Sequence, residues 1–567
     1  AVNFEMLHQM LSGDVAEGDE AYEFTWVGKK AAIVEASTPI RKTLRPCKEE
    51  SVNWDSTENL YIEGDNLDVL KLLQESYLNK VKMIYIDPPY NTGNDFIYRD
   101  DFRMDPDEYD EGCGVYDEDG DRMFRNTDSN GRFHSDWCSM MYSRLLLARN
   151  LLSEDGAIFI SIDDNEQTNV KKICEEIFGE ANKVAEFVVI RTEGGGMAKQ
   201  VIKGHDYLFV FTKDITKFFP LGKQKDIRGK IIEKDGEKYW IQEDWLRKEF
   251  GKYGNCHYEE ILEYKGQSKL DEINDGLQKG EYILIPKSNG MNIVGKLRNL
   301  KTDSSKFYSI LKHLSANGIK DLKSLELDKY FSYPKPVSLT HELISGTTIF
   351  SANKEDIIMD FFSGSATTAH AVMQLNAEDG GNRKFIMVQL PEKTDEKSEA
   401  FKAGYSNICE IGKERIRRAA RKIAKDHPDA HFDGGFRVLK IDSTNMKDVY
   451  YKPSDYSQAM LTDLESNIKE DRSDLDLLFA CLIDRGIPLS HPYKSEQIGG
   501  CTVHNYNNGD LIACFDKNVP DEVFKAIAQM QPLCAVFRDS CFANSPSKIN
   551  ITEIFKNTSP DTEIKVL

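Results

Sequence analysis

Four residues suited to chemistry on an amino nitrogen follow an apolar segment of the chain. Residues 81–86 are nearly all apolar, which predicts a strand covered on both faces. Asp87, Pro88, Pro89 and Tyr90 come directly after it, at the strand's carboxyl end, where open α/β sheets bind ligands. The Asp87 carboxylate and the Pro88 carbonyl can accept the two hydrogens of an amino group, and the prolines stiffen the turn. Tyr90 offers a face on which a flat heterocycle can stack. The tetrapeptide predicts a catalytic site, with a plain strand-ending turn as the alternative.

A second segment, DFFSGSATT, also follows a predicted strand and opens a predicted helix. A glycine in such a turn lets the backbone approach a ligand, and the first turn of a helix supplies free N–H groups and partial positive charge. A nucleotide-like ligand with a carboxylate fits this place, and a tight structural turn is the alternative. The chain contains neither a GxGxxG fingerprint nor a GxxxxGK[ST] phosphate loop.

Three further polar residues stand at predicted strand ends or before a helix. Asp65 follows another strand, where its carboxylate can meet a ligand amine or simply cap the next helix. Lys335, in YPKP, can pair with a ligand carboxylate or remain a solvated lysine. Gln389 ends the strand after the glycine turn, a place where polar side chains often take ribose hydroxyls.

The elements around these residues predict an α/β fold with a parallel sheet, because apolar strands alternate with amphipathic helices in two stretches of the chain. We divide the chain into an N-terminal segment (1–50), two halves of one core (51–190 and 331–445), an insertion between them (191–330) and a separate mixed α/β tail (446–567). Residues 100–130 are rich in Asp and Glu and are predicted to be an exposed loop.

Composition narrows the class of protein. The net charge of −21 is unlike that of a nucleic-acid binder, but residues 191–335 carry 27 Lys and Arg against 21 Asp and Glu. The 11 cysteines form no CxxC pair, which argues against a disulfide framework and a zinc site. The chain has no run of 18 apolar residues, and its first 20 residues do not look like a signal peptide, so we expect a cytoplasmic protein with no membrane association and no metal.

Taken together, DPPYNTGNDFIY and DFFSGSATT resemble the amino-methyltransferases of DNA, and specifically the Mod subunits of type III restriction–modification systems. FTWVGKKAA, GDNL, GAIFISIDDNE, YPKPVSL and VQLPE extend the resemblance over roughly residues 20–445. It implies a Rossmann-like methyltransferase sheet in the permuted, β-class order, in which 191–330 is the target-recognition domain. One departure is Ala366, where the family usually has Gly; an alanine fits this turn if its φ stays negative.

The resemblance implies an adenine-N6 methyltransferase that takes the methyl group from S-adenosyl-L-methionine and acts on an adenine flipped out of double-stranded DNA. Asp87, Pro88, Pro89 and Tyr90 are then catalytic. The implied cofactor contacts are Asp65, Lys335, Asp360, Phe362, Gly364, Ser365, Thr367 and Gln389. Besides Tyr90, the expected DNA contacts are Asn91, Phe96, Arg191, Lys199 and Lys203. A homodimer and a Res helicase–nuclease subunit are the implied partners, with the tail as a dimer or partner interface.

Three other functions stay open. Methylation of a cytosine amino group is disfavoured by Asp87, because those enzymes usually begin the tetrapeptide with Ser, whereas adenine in RNA is harder to separate. A catalytically silent recognition subunit would need no intact Asp87–Tyr90 motif. An orphan methyltransferase would lack the nuclease partner.

Overall fold

The computed structural model describes residues 23–92, 132–194, 201–224, 227, 229–249, 254–300, 303–351, 354–447, 468–542 and 545–567, together with three short strands between residues 97 and 125. Among these residues, no helix combines the length and the apolar character that crossing a membrane would require.

The strands, in chain order, are β1 (Lys42–Val52), β2 (Leu60–Glu63), β3 (Val81–Ile86), β4 (Ile97–Arg99), β5 (Val115–Tyr116), β6 (Arg122–Arg125), β7 (Leu152–Ile162), β8 (Lys183–Ile190), β9 (His205–Thr212), β10 (Gly222–Gln224), β11 (Ile231–Lys234), β12 (Glu237–Gln242), β13 (Tyr282–Pro286), β14 (Asn292–Asn299), β15 (Ser304–Lys306), β16 (Ile310–Lys312), β17 (Ile357–Asp360), β18 (Lys384–Gln389), β19 (Phe436–Ser443), β20 (Tyr493–Ile498), β21 (Cys501–Tyr506), β22 (Leu511–Cys514), β23 (Cys534–Phe537) and β24 (Glu563–Val566).

The α-helices, in chain order, are α1 (Lys29–Ser37), α2 (Asn66–Tyr77), α3 (Phe133–Leu151), α4 (Gln167–Phe178), α5 (Ile261–Lys265), α6 (Gln267–Gln278), α7 (Ser315–Ser324), α8 (Val337–Thr348), α9 (Thr367–Asp379), α10 (Glu399–Lys402), α11 (Ile408–Asp426), α12 (Asp474–Asp484), α13 (Asp521–Gln529) and α14 (Ser545–Thr558).

A ten-stranded sheet in the order β1-β19-β2-β18-β17-β3-β7-β9-β8-β16 organises the molecule. Its six central strands, from β19 to β7, run parallel. Strands β1 and β9 pair antiparallel at the two ends of this parallel block. The α/β class and the parallel core sheet predicted from the alternating pattern are therefore confirmed.

The central strands are covered on both faces, as their apolar sequences require. Successive residues of a strand point to opposite faces, and β3 shows the consequence. Ile84 and Ile86 belong to one buried core with helices α2, α3 and α4, whereas Met83 and Tyr85 belong to the other with α8, α9 and α11. All six residues of β3 are buried, so the turn that follows this strand is held by a rigid base.

The domain boundaries set at residues 50, 191 and 330 do not coincide with those of the sheet. Strand β1 begins at Lys42 and pairs with β19, so the N-terminal segment already contributes to the core. Strands β9 and β16 also belong to the large sheet. The part of the insertion outside that sheet is residues 213–309, which carry the four-stranded sheet β11-β12-β14-β13 and a small apolar core of their own. The sequence pattern did not reveal this because β9, which follows the loop after β8, turns back to pair with both β7 and β8.

The tail forms a five-stranded sheet, β20-β21-β22-β23-β24, with helices α12, α13 and α14. It is not detached from the core. Leu477, Leu478 and Phe479 of α12 are buried in the same apolar cluster as α2 and α3. The fully buried Arg437 of β19 also donates hydrogen bonds of 2.9 and 2.8 Å to the carbonyls of Leu489 and His491.

Candidate active site

The carboxyl ends of five neighbouring strands, β2, β18, β17, β3 and β7, meet along one edge of the large sheet. A cavity of about 950 Å³ lies there. It is lined by residues that follow each of these strands, namely Asp65, Gln389, Phe361, Phe362, Gly364, Asp87, Pro88, Pro89, Tyr90 and Asp163. Its volume is that of a site for a nucleotide-sized ligand. The sheet thus brings residues from both predicted motifs, which are about 270 positions apart, into one place.

The turn after β3 carries a carboxylate with two hydrogen-bonding neighbours. The Tyr90 hydroxyl donates to Asp87 Oδ1 at 2.8 Å. The Lys335 ammonium lies 3.2 Å from the same oxygen and also donates to the Tyr90 hydroxyl. The contacts of Asp87 with Tyr90 and Lys335 both involve Oδ1. Among the described residues, Oδ2 is therefore the carboxylate oxygen that remains to accept a hydrogen bond from a ligand. The arrangement orients an acceptor toward the cavity.

Contacts from distant helices hold this turn. The indole of the buried Trp137, on α3, donates to the Pro89 carbonyl at 2.8 Å. Asn91, with φ of 58°, is buried and donates to the Glu166 carboxylate and to the Phe133 carbonyl. Asn91 was expected to contact the substrate, but its side chain instead anchors the turn to α3 and to the end of β7.

Lys335 lines the cavity, and protein groups bind its ammonium. It was predicted as a cofactor contact, with a solvated lysine as the alternative. Its ammonium instead lies between two carboxylates, 3.2 Å from Asp87 and 3.6 Å from Asp206, and 4.9 Å from the centre of the Tyr90 ring. Asp206 in turn lies 3.2 Å from Arg191, an expected DNA contact that lines the cavity. The two carboxylates, one on β9 and one in the turn after β3, attract the ammonium more strongly than water does, so Lys335 is not a solvated lysine.

The electrostatics of the turn follow from burial and these charges. Burial raises the pKa of Asp87 above its ordinary value, and the Lys335 ammonium and the Tyr90 hydrogen bond oppose that rise. Burial, together with the negative charges of Asp87 and Asp206, raises the pKa of Tyr90 well above its usual range. Tyr90 therefore remains a hydroxyl that donates to Asp87.

At the other end of the cavity, Asp65 caps α2, as the alternative interpretation expected. Its Oδ1 accepts from the backbone N–H groups of Leu67 and Asp68, at 2.8 and 3.3 Å. It also lies 3.1 Å from Arg144, a buried arginine on α3. Arg144 donates in addition to the side chain of Asn66, whose amide donates to the Phe361 carbonyl at 2.8 Å. Arg144 thus joins the turn after β2 to the turn after β17.

The glycine turn after β17 is stabilised by a neighbouring strand. The Gly364 N–H donates to the side-chain oxygen of Gln389 at 2.6 Å. Asp360 accepts from the Phe362 N–H at 3.1 Å and from the Thr368 hydroxyl at 2.6 Å. Of the expected cofactor contacts in this region, Phe362, Gly364 and Gln389 line the cavity, whereas the Asp360 carboxylate caps the turn beneath it.

Ser365 and Thr367 were also expected around the cofactor, but both hydroxyls bind a protein group. The fully buried Arg415, on α11, donates to Ser365 Oγ and to Thr367 Oγ1, each at 2.7 Å. Neither residue lines the cavity. Arg415 comes about 50 positions later in the chain, in a helix rich in basic residues. The side chains of Ser365 and Thr367 therefore shape the turn from behind.

Ala366 was expected to fit the turn with a negative φ, but its φ is positive. Ala366 has φ of 60° and ψ of 44°, the left-handed conformation, and is completely buried. A left-handed residue with a Cβ costs roughly 1–2 kcal/mol, which a glycine would avoid. The turn is thus held in a strained conformation by its hydrogen bonds.

Replacing Ala366 by Gly is expected to raise the free energy of unfolding by up to about 1 kcal/mol, because relief of the strain outweighs the loss of one buried methyl group, worth about 0.8 kcal/mol. Ala369 is a matched control, equally buried but within α9. Its replacement by Gly should lower stability by about 2 kcal/mol. Denaturant unfolding of both variants measures the difference, and equal losses would contradict the strain.

Asp360 predicts a pH dependence of stability. Burial raises its pKa to about 7, against the opposing hydrogen bonds of Thr368 and Phe362. In the unfolded chain the pKa is about 4, so folding favours the protonated form; its stabilising contribution is full below about pH 4 and is lost as pH rises to about 7. The Asp360→Asn chain cannot ionise at this position. Its free energy of unfolding relative to that of the wild type should therefore increase from pH 5 to pH 7 and stay constant above pH 7. Urea unfolding at pH 5, 6, 7 and 8 tests this, and a difference independent of pH would contradict it.

The remaining expected DNA contacts do not line the cavity or are not described. Lys203 is exposed and pairs with Asp164. Phe96, Lys199 and, apart from the short strands, residues 100–130 lie outside the described residues.

Two of the residues that sequence reasoning missed are charged side chains inside apolar elements, and a third, Glu166, is a buried carboxylate in a polar segment before a helix. Arg144 interrupts the apolar helix MMYSRLLLA, and Asp206 opens the apolar strand β9. Glu166, completely buried, binds Asn91 and His134. A charge at a position expected to be buried is the signal that identifies such residues, because burial of a charge requires a partner.

Comparison with known proteins places this site in a family. A family model described as "DNA methylase" matches residues 81–421, more than half of the chain, including both turns. The EcoPI Mod subunit of a type III restriction–modification enzyme from Escherichia phage P1 is 30% identical, over 93% of this chain and 86% of its own length. The EcoP15I Mod subunit from Escherichia coli is 29% identical, over 99% of this chain and 93% of its own. The StyLTI Mod subunit from Salmonella typhimurium is 32% identical, over 80% and 69%.

The likeness to the Mod subunits extends beyond the two motifs to nearly the whole chain, including the insertion and the tail. The chain therefore belongs to the DNA methylase family, and within it to the Mod subunits of type III restriction–modification enzymes, which makes it an S-adenosylmethionine-dependent DNA adenine methyltransferase.

Proposed function

We propose that the chain methylates N6 of an adenine that is flipped out of double-stranded DNA, with Asp87 as the group that orients the nitrogen. The observation that supports this most is the Asp87 carboxylate at the cavity, braced at Oδ1 by Tyr90 and Lys335. An adenine amino group is a poor nucleophile, because its lone pair is delocalised into the ring. Acceptors that grip both hydrogens favour the pyramidal nitrogen that can attack.

In this proposal Asp87 Oδ2 accepts one hydrogen of the amino group and the Pro88 carbonyl accepts the other. Pro88 is buried, and the neighbouring Pro89 is tied to Trp137, so the two acceptors are fixed before the substrate arrives. Such preorganisation lowers the barrier without a covalent intermediate. The Tyr90 ring provides the stacking face. The amino nitrogen sheds one proton on methylation. Since Asp87 accepts a hydrogen bond from this nitrogen in the proposal, it is also the nearest described group that can take the proton.

The other end of the cavity fits the methyl donor. S-adenosylmethionine supplies an electrophilic methyl group on a sulfonium. Asp65 offers a carboxylate to the donor's amino group, Phe362 an aromatic face, and Gly364 a backbone that can be approached closely. Arg144 and Gln389 would keep these groups in place through the contacts described above.

We propose that residues 213–309, a narrower range than 191–330, read the DNA sequence. They have their own four-stranded sheet and apolar core. Positive charge in this part of the chain suits phosphate contacts. We further propose a homodimer, a Res helicase–nuclease partner and a cytoplasmic location. Because α12 is buried in the core, any partner surface on the tail must lie on its outward side.

The test is transfer of radiolabelled methyl groups from S-adenosylmethionine to unmethylated genomic DNA by the purified chain, followed by digestion to nucleosides. We expect the label in N6-methyl-2′-deoxyadenosine. Label in N4-methylcytosine would overturn the choice of base, and label that appears only with RNA would overturn the choice of nucleic acid. Binding of DNA without any transfer would support a recognition subunit instead.

A further inference from the structure

Asp206 is a buried carboxylate at the active-site edge that the proposed chemistry leaves without a task. It is the second residue of β9, which pairs antiparallel with β7, so the beginning of β9 lies at the same edge as the carboxyl end of β7. Asp206 is 6% exposed and lines the cavity. A buried carboxylate is retained only with partners, and it has two, Arg191 at 3.2 Å and Lys335 at 3.6 Å.

The ammonium of Lys335 is shared. It lies 3.2 Å from Asp87 Oδ1 and 3.6 Å from Asp206 Oδ2, on opposite arms of one ion-pair chain that ends at Arg191. A lysine with one carboxylate partner approaches that partner as closely as sterics allow, whereas a lysine between two carboxylates divides its field between them. The position of Lys335 relative to Asp87 therefore depends on Asp206.

We propose that Asp206 is a positioning residue for the reaction, which holds Lys335 between two carboxylates so that the ammonium neutralises Asp87 only in part and leaves it a strong acceptor. This inference rests on the proposed function of Asp87. It assigns to Asp206 no contact with substrate or donor.

The charged and titratable groups that face Asp87 come from five places in the fold. They are Tyr85 on β3, Tyr90 in the following turn, Asp206 on β9, Lys335 before α8 and Asp360 at the end of β17. The negative charge of Asp206 adds to burial in raising the pKa of Asp87. Its removal both withdraws that repulsion and releases Lys335 toward Asp87, so the two effects have the same sign.

The position of Asp206 beside Arg191 also links the state of Asp87 to DNA binding. Arg191 and Asp206 face each other at the loop end of the β8–β9 hairpin, where the Arg191 N–H also donates to the Gly204 carbonyl at 2.9 Å. Arg191 lines the cavity and its side chain is about one-third exposed. A phosphate that draws Arg191 away would leave Asp206 to attract Lys335 more strongly, which frees Asp87 when DNA is bound.

The test is the pH profile of kcat/KM for methyl transfer to unmethylated genomic DNA by the full chain. An Asp206→Asn variant should shift the acid limb, set by ionisation of Asp87, by about half a pH unit or more to lower pH. It should also lower kcat several-fold, because a more neutralised Asp87 is a weaker acceptor. Asp206→Glu, which retains the charge, should keep the limb near its wild-type position.

Asp164→Asn is the matched control, since it removes one negative charge from an exposed side chain that pairs with Lys203 and does not line the cavity. It should leave the limb in place. An Asp206→Asn limb that does not move, or that moves no further than that of Asp164→Asn, overturns the inference, as does an equal loss of activity at every pH. If Asp87→Asn is as active as wild type, the proposed function fails instead, so the two failures are distinguishable.

Discussion

Asp87→Asn is expected to lower the rate of methyl transfer by about 10²- to 10³-fold, as loss of a preorganised electrostatic group does in other enzymes. Asparagine has the same shape, but an NH2 group replaces one acceptor oxygen. The hydrogens of this NH2 group repel the amino hydrogens of the substrate. The amide also weakens the hydrogen bond from Tyr90 and the ion pair with Lys335. Single-turnover transfer at saturating DNA and donor measures the effect on the chemical step.

Folding and binding should be retained in this variant, because the buried strand β3 and the Trp137 contact to Pro89 are unchanged. Asp164→Asn provides the control for a charge lost elsewhere at this edge. A loss of donor or DNA affinity large enough to account for the slower reaction would show that Asp87 binds rather than orients. An Asp87→Asn chain with near wild-type rates would remove the basis of the proposed mechanism.

The second large effect is expected for Arg144→Met. The side chains of Arg144 and Asp65 are 8% and 15% exposed, so removal of the arginine leaves a largely buried carboxylate without its counter-charge. Loss of one partner of such a pair costs about 3–5 kcal/mol of folding stability. Because Asn66 and the Phe361 carbonyl also lose their anchor, we expect donor affinity to fall by about tenfold or more, which corresponds to about 1.4 kcal/mol.

Denaturant unfolding and calorimetric titration of S-adenosylmethionine measure the two effects. Adding Asp65→Asn to the Arg144→Met chain removes the orphaned charge and should restore part of the lost stability. Arg149→Met, on the last turn of the same helix, is the control and should change stability by less than about 1 kcal/mol. Equal effects of the two arginine variants would contradict the role of Arg144 at the cavity.

The positions of the strand ends could be predicted from the sequence, whereas most of the partners there could not. Buried strands such as β3 and β17 are short apolar runs followed by turn residues, and parallel strands place their carboxyl ends together. Asp87 and Gly364 are therefore expected at one edge. The partners of Lys335 could not be predicted in this way, because the two carboxylates that bind it lie 129 and 248 positions earlier in the chain.

The boundaries of the insertion are a second feature that the sequence did not reveal. Strand β16 has only three residues and carries no feature that distinguishes a strand of the large sheet from a strand of the insertion, so this boundary could not be predicted from the sequence. The backbone of Ala366 is a different case. Alanine ordinarily avoids positive φ, and only the hydrogen bonds of the folded turn and the packing around it impose the left-handed conformation. Long-range contacts decided each of these points.

Base-resolved mapping of methylation in a host that lacks its own DNA methylation tests the central claim most directly, with the wild-type chain and its Asp87→Asn variant expressed in parallel. The account predicts N6-methyladenine at one short sequence motif in the wild-type host and none in the variant host. Methylation that persists in the variant, or a modified base other than adenine, would contradict the assignment of Asp87 as the group that orients adenine N6.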